Sequence, residues 1–148
     1  MSASLTETRA GWLGLLARSA PTRLAELMPG DLPDHRFLRA PEVGAIMVQG
    51  RTGGTGAPFN LGEMTVTRCA LTLPCGTVGH GHVAGRDKAH ATRVALIDAM
   101  LQTDRAPALR QAILHPLATE EAARAKARAE KAAATKVDFF TMVRGEDA

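Results

Sequence analysis

The decapeptide Met64-Thr-Val-Thr-Arg-Cys-Ala-Leu-Thr-Leu73 alternates with a period of two, the repeat of an extended chain, and chain-reversal signals stand on both sides of it. Met64, Val66, Arg68, Ala70 and Thr72 share one face of such a strand, and Thr65, Thr67, Cys69, Leu71 and Leu73 share the other. Pro74-Cys75-Gly76 reads as a turn into a further strand over Thr77 to Ala84. Upstream, Gly44-Ala-Ile-Met-Val-Gln-Gly50 is apolar on both faces and bounded by glycines, and His35 to Arg39 is compatible with a short strand of its own. The middle of the chain therefore predicts an antiparallel meander.

Helical patterns flank the meander. Trp12, Leu15, Leu16 and Ser19 recur at three and four spacing from Glu7 to Ser19, a short helix that ends before Pro21, and Thr22 to Met28 adds another turn or two, with Leu24, Leu27 and Met28 on one side, until Pro29-Gly30, so a helical pair is expected. Asp87 is placed as an N-cap for a helix through Ala91, Val94, Ala95, Ile97, Asp98 and Leu101. A further helix is expected over Ala108 to Leu114, broken at His115-Pro116. From Thr119 to Lys136 the chain turns to alanine and charge, with Glu120 spaced to pair with Arg124. Helices, consecutive strands, then helices predict an α+β fold: an antiparallel sheet of three to four strands flanked by N-terminal and C-terminal helices. We expect one domain over residues 1–118 and an extended helical arm over 119–148. Eight of the thirteen residues from Ala122 to Ala134 are alanine, which favours helix but offers a poor apolar stripe. Beyond it Val137, Phe139, Phe140 and Met142 gather as an apolar hook suited to a partner interface.

The segment Gly50-Arg-Thr-Gly-Gly-Thr-Gly-Ala-Pro-Phe-Asn-Leu-Gly62 holds five glycines, two threonines and one arginine. Read as a long loop, it makes Arg51, Thr52, Gly53, Gly54, Thr55, Gly56 and Asn60 candidates for binding phosphate or a partner, through exposed N–H groups and one guanidinium. No Gly-Lys-Ser/Thr follows and a strand comes next, so it is neither a P-loop nor a dinucleotide fingerprint. A ligand-free hairpin connection is the competing reading. Arg86 and Lys88 flank the Asp87 cap, where helix N–H groups favour anions. If they converge with Arg51 and Arg68, the four make a basic cleft fit for a triphosphate or an acidic protein patch.

Other chemistries are weakly supported. His80 and His82 share a strand face and His90 follows, but the spacing matches no zinc motif, and no metal is expected. Cys69 and Cys75 read as plain thiols, since their spacing fits neither a CxxC pair nor a disulfide framework. No Ser/His/Asp or Cys/His order stands out, and Glu42, Glu63 and Asp87 each have an ordinary explanation, so no catalytic residue is assigned and no cofactor is expected. The net charge of +3 is a mild basic bias, and the chain has no Tyr and only 3% aromatic residues. Stacking platforms for single-stranded nucleic acid are thus scarce. No run reaches the ~20 apolar residues of a membrane span, which argues for a cytoplasmic protein.

The run RTGGTGAPFNLGEMTVTRC, Arg51 to Cys69, followed by GHGHVAGRDKAHA, Gly79 to Ala91, resembles the signature of the PhnG family, the G subunits of the bacterial carbon-phosphorus lyase core complex. The resemblance extends more loosely from Trp12 through Leu101. It implies an assembly with the H, I and J subunits of that complex, with homo-oligomer contacts also expected. It further implies a part in displacing adenine from ATP by methylphosphonate, giving α-D-ribose 1-methylphosphonate 5-triphosphate, so ATP or the ribose triphosphate intermediate is a ligand to expect in the complex. The family supplies no established catalytic residues to carry over. A structural or anion-binding role follows, with a purely structural scaffold as the alternative.

Overall fold

The computed structural model describes residues 6–28 and 32–137. Phe139, Phe140 and Met142 of the expected hook lie outside the described residues, and Val137 is exposed. Helix α1 (Arg9–Arg18) is capped by Thr8, whose hydroxyl accepts from the Gly11 N–H at 3.1 Å, and it buries Trp12, Leu15 and Leu16. Helix α2 (Pro21–Leu27) opens on proline, whose missing N–H costs nothing in a first turn, and buries Leu24.

Three strands follow: β1 (Arg36–Arg51), β2 (Pro58–Thr72) and β3 (Val78–Ala84), antiparallel in the order β1-β2-β3. The fold is thus α+β as predicted, with two corrections in the sheet. The two upstream strand segments are a single strand of 16 residues. Pro41 is tolerated because β1 is an edge strand and its register shifts on both sides of Arg39. The glycine-rich loop is also far shorter than it reads, since Arg51 pairs with Pro58, Gly50 with Phe59 and Gln49 with Asn60.

Helix α3 (Lys88–Met100) is buried on nearly every side, between the sheet and helices α1 and α2. On β2, Thr67, Cys69 and Leu71 face the core, as does Leu73 just beyond it, while Arg68 is exposed, as the alternation predicts; Val66, expected on the Arg68 face, is buried as well. On β3 the core-facing positions are Gly79, Gly81 and Val83, which leaves His80 and His82 on the opposite, exposed face. Side chains from the helices cover the outer edge of β3: Arg9 and Gln102 donate to the Val78 carbonyl at 3.3 and 3.0 Å, and Asp98 accepts from the His80 N–H at 2.9 Å.

Beyond α3, helix α4 (Ala106–Leu109), a five-residue π turn (Arg110–Leu114) and helix α5 (His115–Ala134) follow without a break. The predicted stop at His115-Pro116 does not occur. The widened turn, in which the His115 N–H reaches the Arg110 carbonyl, lets the helix pass the proline. Leu117 and Ala118 are the buried residues of α5, and its positions from Ala122 onward are exposed. Glu120 pairs with Arg23 at 2.8 Å rather than with Arg124, and Glu121 pairs with Arg18 at 2.7 Å, so two ion pairs tie the root of α5 to α1 and α2.

The thiols differ in kind. Cys69 is buried, donates to the Ala91 carbonyl at 3.3 Å, and is pushed up in pKa by its burial. Cys75 is exposed beside the Thr77 hydroxyl at 3.3 Å, and hydrogen bonding there lowers its pKa. Labelling the native protein with a disulfide reagent should modify Cys75 alone, within minutes at pH 8, with the second equivalent appearing only in denaturant. A Cys75→Ser variant that still reacts rapidly would contradict this.

Candidate functional site

Three separate surfaces carry the residues that the sequence singles out. The first is an arm. Strand β3 pairs with β2 only over Val66–Thr72, so Ala45–Arg51 and Pro58–Thr65 continue alone as a two-stranded ribbon about 25 Å long. Met47, Phe59, Leu61 and Met64 are exposed on it, Leu61 at 67%. The register puts Ile46 and Met64 on one face and Met47 on the other, so the ribbon is apolar on both.

The glycine loop is the tip of this arm. Gly53 and Gly54 take positive φ (58° and 84°), and the N–H groups of Thr55 and Gly56 both reach the Thr52 carbonyl. The Thr52 N–H bonds the Ala57 carbonyl at 3.3 Å, and Arg51 folds back to donate to the Gly56 carbonyl at 3.2 Å. Three of the N–H groups expected to cradle phosphate are therefore used inside the loop. Asn60 lies on β2, its side-chain oxygen 3.5 Å from the Gln49 amide nitrogen.

The second surface is the sheet face away from the helices. Arg68 lies between Glu42 on β1 and His82 on β3, and Ala70 lies between Arg39 and His80. Arg68 Nε donates to Glu42 Oε1 at 2.8 Å, and Arg39 Nη1 lies 3.6 Å from the same oxygen. Leu38, Arg39, Arg68, Ala70, His80 and His82 line a groove of about 400 Å³.

The third surface is the start of α3. Asp87 accepts from the His90 N–H at 2.8 Å, so a carboxylate already fills the place where the helix would hold an anion. Arg86 and Lys88 beside it are exposed.

The four basic residues do not form one cleft. Arg51 is nine positions along β1 from Glu42, the partner of Arg68, which puts the loop about 30 Å from that arginine. The histidines divide as well: His80 and His82 face outward, whereas His90 is buried behind the sheet with Nε2 3.1 Å from the Leu16 carbonyl. Among the described residues no cluster of His, Cys, Asp and Glu is arranged to hold a metal ion. Glu42 is taken by Arg68 and Asp87 by its cap, while Glu63 lies out on the arm opposite Met47, so the three carboxylates form no pair.

Sequence reasoning passed over two features. Asp98 sits in the apolar run Val94-Ala-Leu-Ile-Asp-Ala-Met-Leu101, and a lone carboxylate in such a run is itself a signal of a buried polar network. Arg39 joins the Arg68 groove only through strand register, which no local pattern discloses.

Comparison with known proteins gives the family. Residues 7–145 match the family described as phosphonate metabolism protein PhnG. The chain is also 44% identical over 147 residues, 98% of its length and 94% of the relative's, to the alpha-D-ribose 1-methylphosphonate 5-triphosphate synthase subunit PhnG of Rhizobium meliloti (strain 1021). Both matches run through the meander, the arm and the flanking helices, and on them the chain belongs to the PhnG family.

Proposed function

We propose that this chain is an assembly subunit of a cytoplasmic α-D-ribose 1-methylphosphonate 5-triphosphate synthase in phosphonate metabolism, and that its β1–β2 arm docks on neighbouring subunits. The arm is the observation that carries the reading. An isolated two-stranded ribbon is marginal in water, and this one keeps large apolar side chains on both faces with few charges besides Arg51 and Glu63. An isologous contact between two copies would cover one face of each ribbon and leave the other wet, so a partner that grips the arm in a cleft fits better. Gripped on both sides, an arm of this length offers on the order of the ~800 Å² per partner of a standard interface. The H, I and J subunits implied by the family resemblance are the partners to test, with Arg51 and the glycine tip as docking elements rather than a phosphate cradle.

Co-expression of the tagged chain with those subunits tests the reading. Replacing residues 48–62 by an Asn-Gly turn joins Met47 to Glu63, which already face each other, and leaves the core intact. The trimmed chain should melt within a few degrees of the parent yet lose co-purification. A milder Met47→Ser, Phe59→Ser, Leu61→Ser variant should weaken assembly about 30-fold or more, as truncated apolar anchors do. A trimmed chain recovered in a complete complex would overturn the docking role.

A further inference from the structure

The outward face of the sheet carries a second site, independent of the arm. Two guanidiniums, from Arg39 on β1 and Arg68 on β2, converge on one carboxylate oxygen, Glu42 Oε1, at 3.6 and 2.8 Å. That oxygen marks a point where two cations already hold negative charge. His82 stands directly across from Arg68, and His80 stands across from Ala70, the partner of Arg39, so β3 adds two imidazoles to the same patch. Their outward direction follows from packing, because the alternate positions Gly79 and Gly81 press against α3. Leu38 and Ala70 are apolar side chains in the groove's lining, and Arg36 lies beyond Leu38 beside Thr72.

We propose that this groove is an oxyanion site for a phosphoryl or phosphonyl group. Arg39 and Arg68 are its charged donors, His80 and His82 add ring N–H groups, and Glu42 holds the arginines in position until the ligand replaces it. Guanidinium planes suit tetrahedral oxyanions because they donate in pairs. Two positive charges, Arg39 and Arg68, face one negative charge, Glu42. The site lies about 30 Å from the glycine tip and stands or falls apart from the docking role.

Nuclear magnetic resonance titration of the full chain tests it. Sulfate is the first probe, since it is a tetrahedral dianion of the same shape as a phosphoryl or phosphonyl group. Sulfate should shift the His80 and His82 ring signals saturably, with a dissociation constant in the low millimolar range or below. Arg39→Gln with Arg68→Gln should weaken binding at least about tenfold, whereas Arg86→Gln with Lys88→Gln, the same loss of charge elsewhere, should leave it within about twofold. Glu42→Gln should tighten binding, because it removes the competing carboxylate. Methylphosphonate, inorganic phosphate and ATP then distinguish the sources: tightest binding of methylphosphonate assigns a phosphonyl group, and of ATP a terminal phosphoryl. Absence of saturable shifts up to about 20 mM sulfate, equal weakening by the Arg86/Lys88 pair, or unchanged affinity in Glu42→Gln would overturn the site.

Discussion

Gly81→Ala should destabilise the protein by about 3 kcal/mol or more, at the upper end for overpacking a core, and lower its melting temperature by roughly 10 °C. A methyl group at Gly81 would overlap the Ala91 carbonyl oxygen and come 3.2 Å from Cys69 Sγ. At Gly79 it would overlap the Ala95 carbonyl oxygen and reach 2.8 Å from Ala99 Cβ. The colliding atoms are mostly helix backbone, which no rotamer change can move, so β3 and α3 would have to separate. Separation would in turn strip contacts from Leu71, Val83 and Val94, all 1% exposed or less. Gly79→Ala should therefore behave like Gly81→Ala. Gly44→Ala is the control, because nothing lies within 4 Å of the added methyl and alanine suits a strand better than glycine, so its change should stay within about 0.5 kcal/mol. Urea melts of the three variants decide the matter: if Gly81→Ala and Gly44→Ala unfold alike, the close strand–helix seam is wrong.

The same seam explains what the sequence disclosed and what it concealed. The alternation on β2 was legible because its two faces differ in chemistry: Thr67, Cys69 and Leu71 are buried and Arg68 is exposed. The alternating glycines of Val-Gly-His-Gly-His read locally as a weak strand, although they are the core-facing positions. Their reason is the alanine row Ala91, Ala95 and Ala99 on α3, visible only once the two elements are brought together. The glycine-rich segment misled in the other direction. Phe59, Asn60 and Leu61 have no strand periodicity of their own and are extended because β1 lies beside them, a stabilisation that comes from the partner strand. Pro41 and Pro116 likewise carry rules that depend on place, one tolerated on an edge strand and one after a π turn. For the candidate sites, residue type was legible and grouping was not. Arg68 stood out, but its association with Glu42, Arg39 and His82, and its separation from Arg51, are properties of register.

Asp98→Ala should cost about 3 to 5 kcal/mol, the range found when one partner of a buried ionic network is removed. The Asp98 side chain has no solvent exposure and accepts four hydrogen bonds: from Arg9 Nε and Nη2 at 3.1 and 2.8 Å, Trp12 Nε1 at 2.9 Å and the His80 N–H at 2.9 Å. Removing the carboxylate orphans the buried indole N–H and a backbone N–H on the edge of β3, and each orphan carries a desolvation cost of about 1 to 3 kcal/mol. Arg9 is 43% exposed and can turn to water, so Arg9→Ala should cost distinctly less than Asp98→Ala. Asp98→Asn should fall between them, since an amide offers one oxygen where the carboxylate offered two, and its NH2 must face a donor. The chain has a single tryptophan, so the emission of Trp12 reports the network directly and should change in Asp98→Ala as the indole loses its partner. Because Asp98 also fixes the backbone of His80, the same substitution should broaden the His80 and His82 ring signals on the far side of the sheet while leaving the arm unaltered. A native-like melt and an unchanged Trp12 emission in Asp98→Ala would mean that α1, α3 and β3 are held together by apolar packing alone.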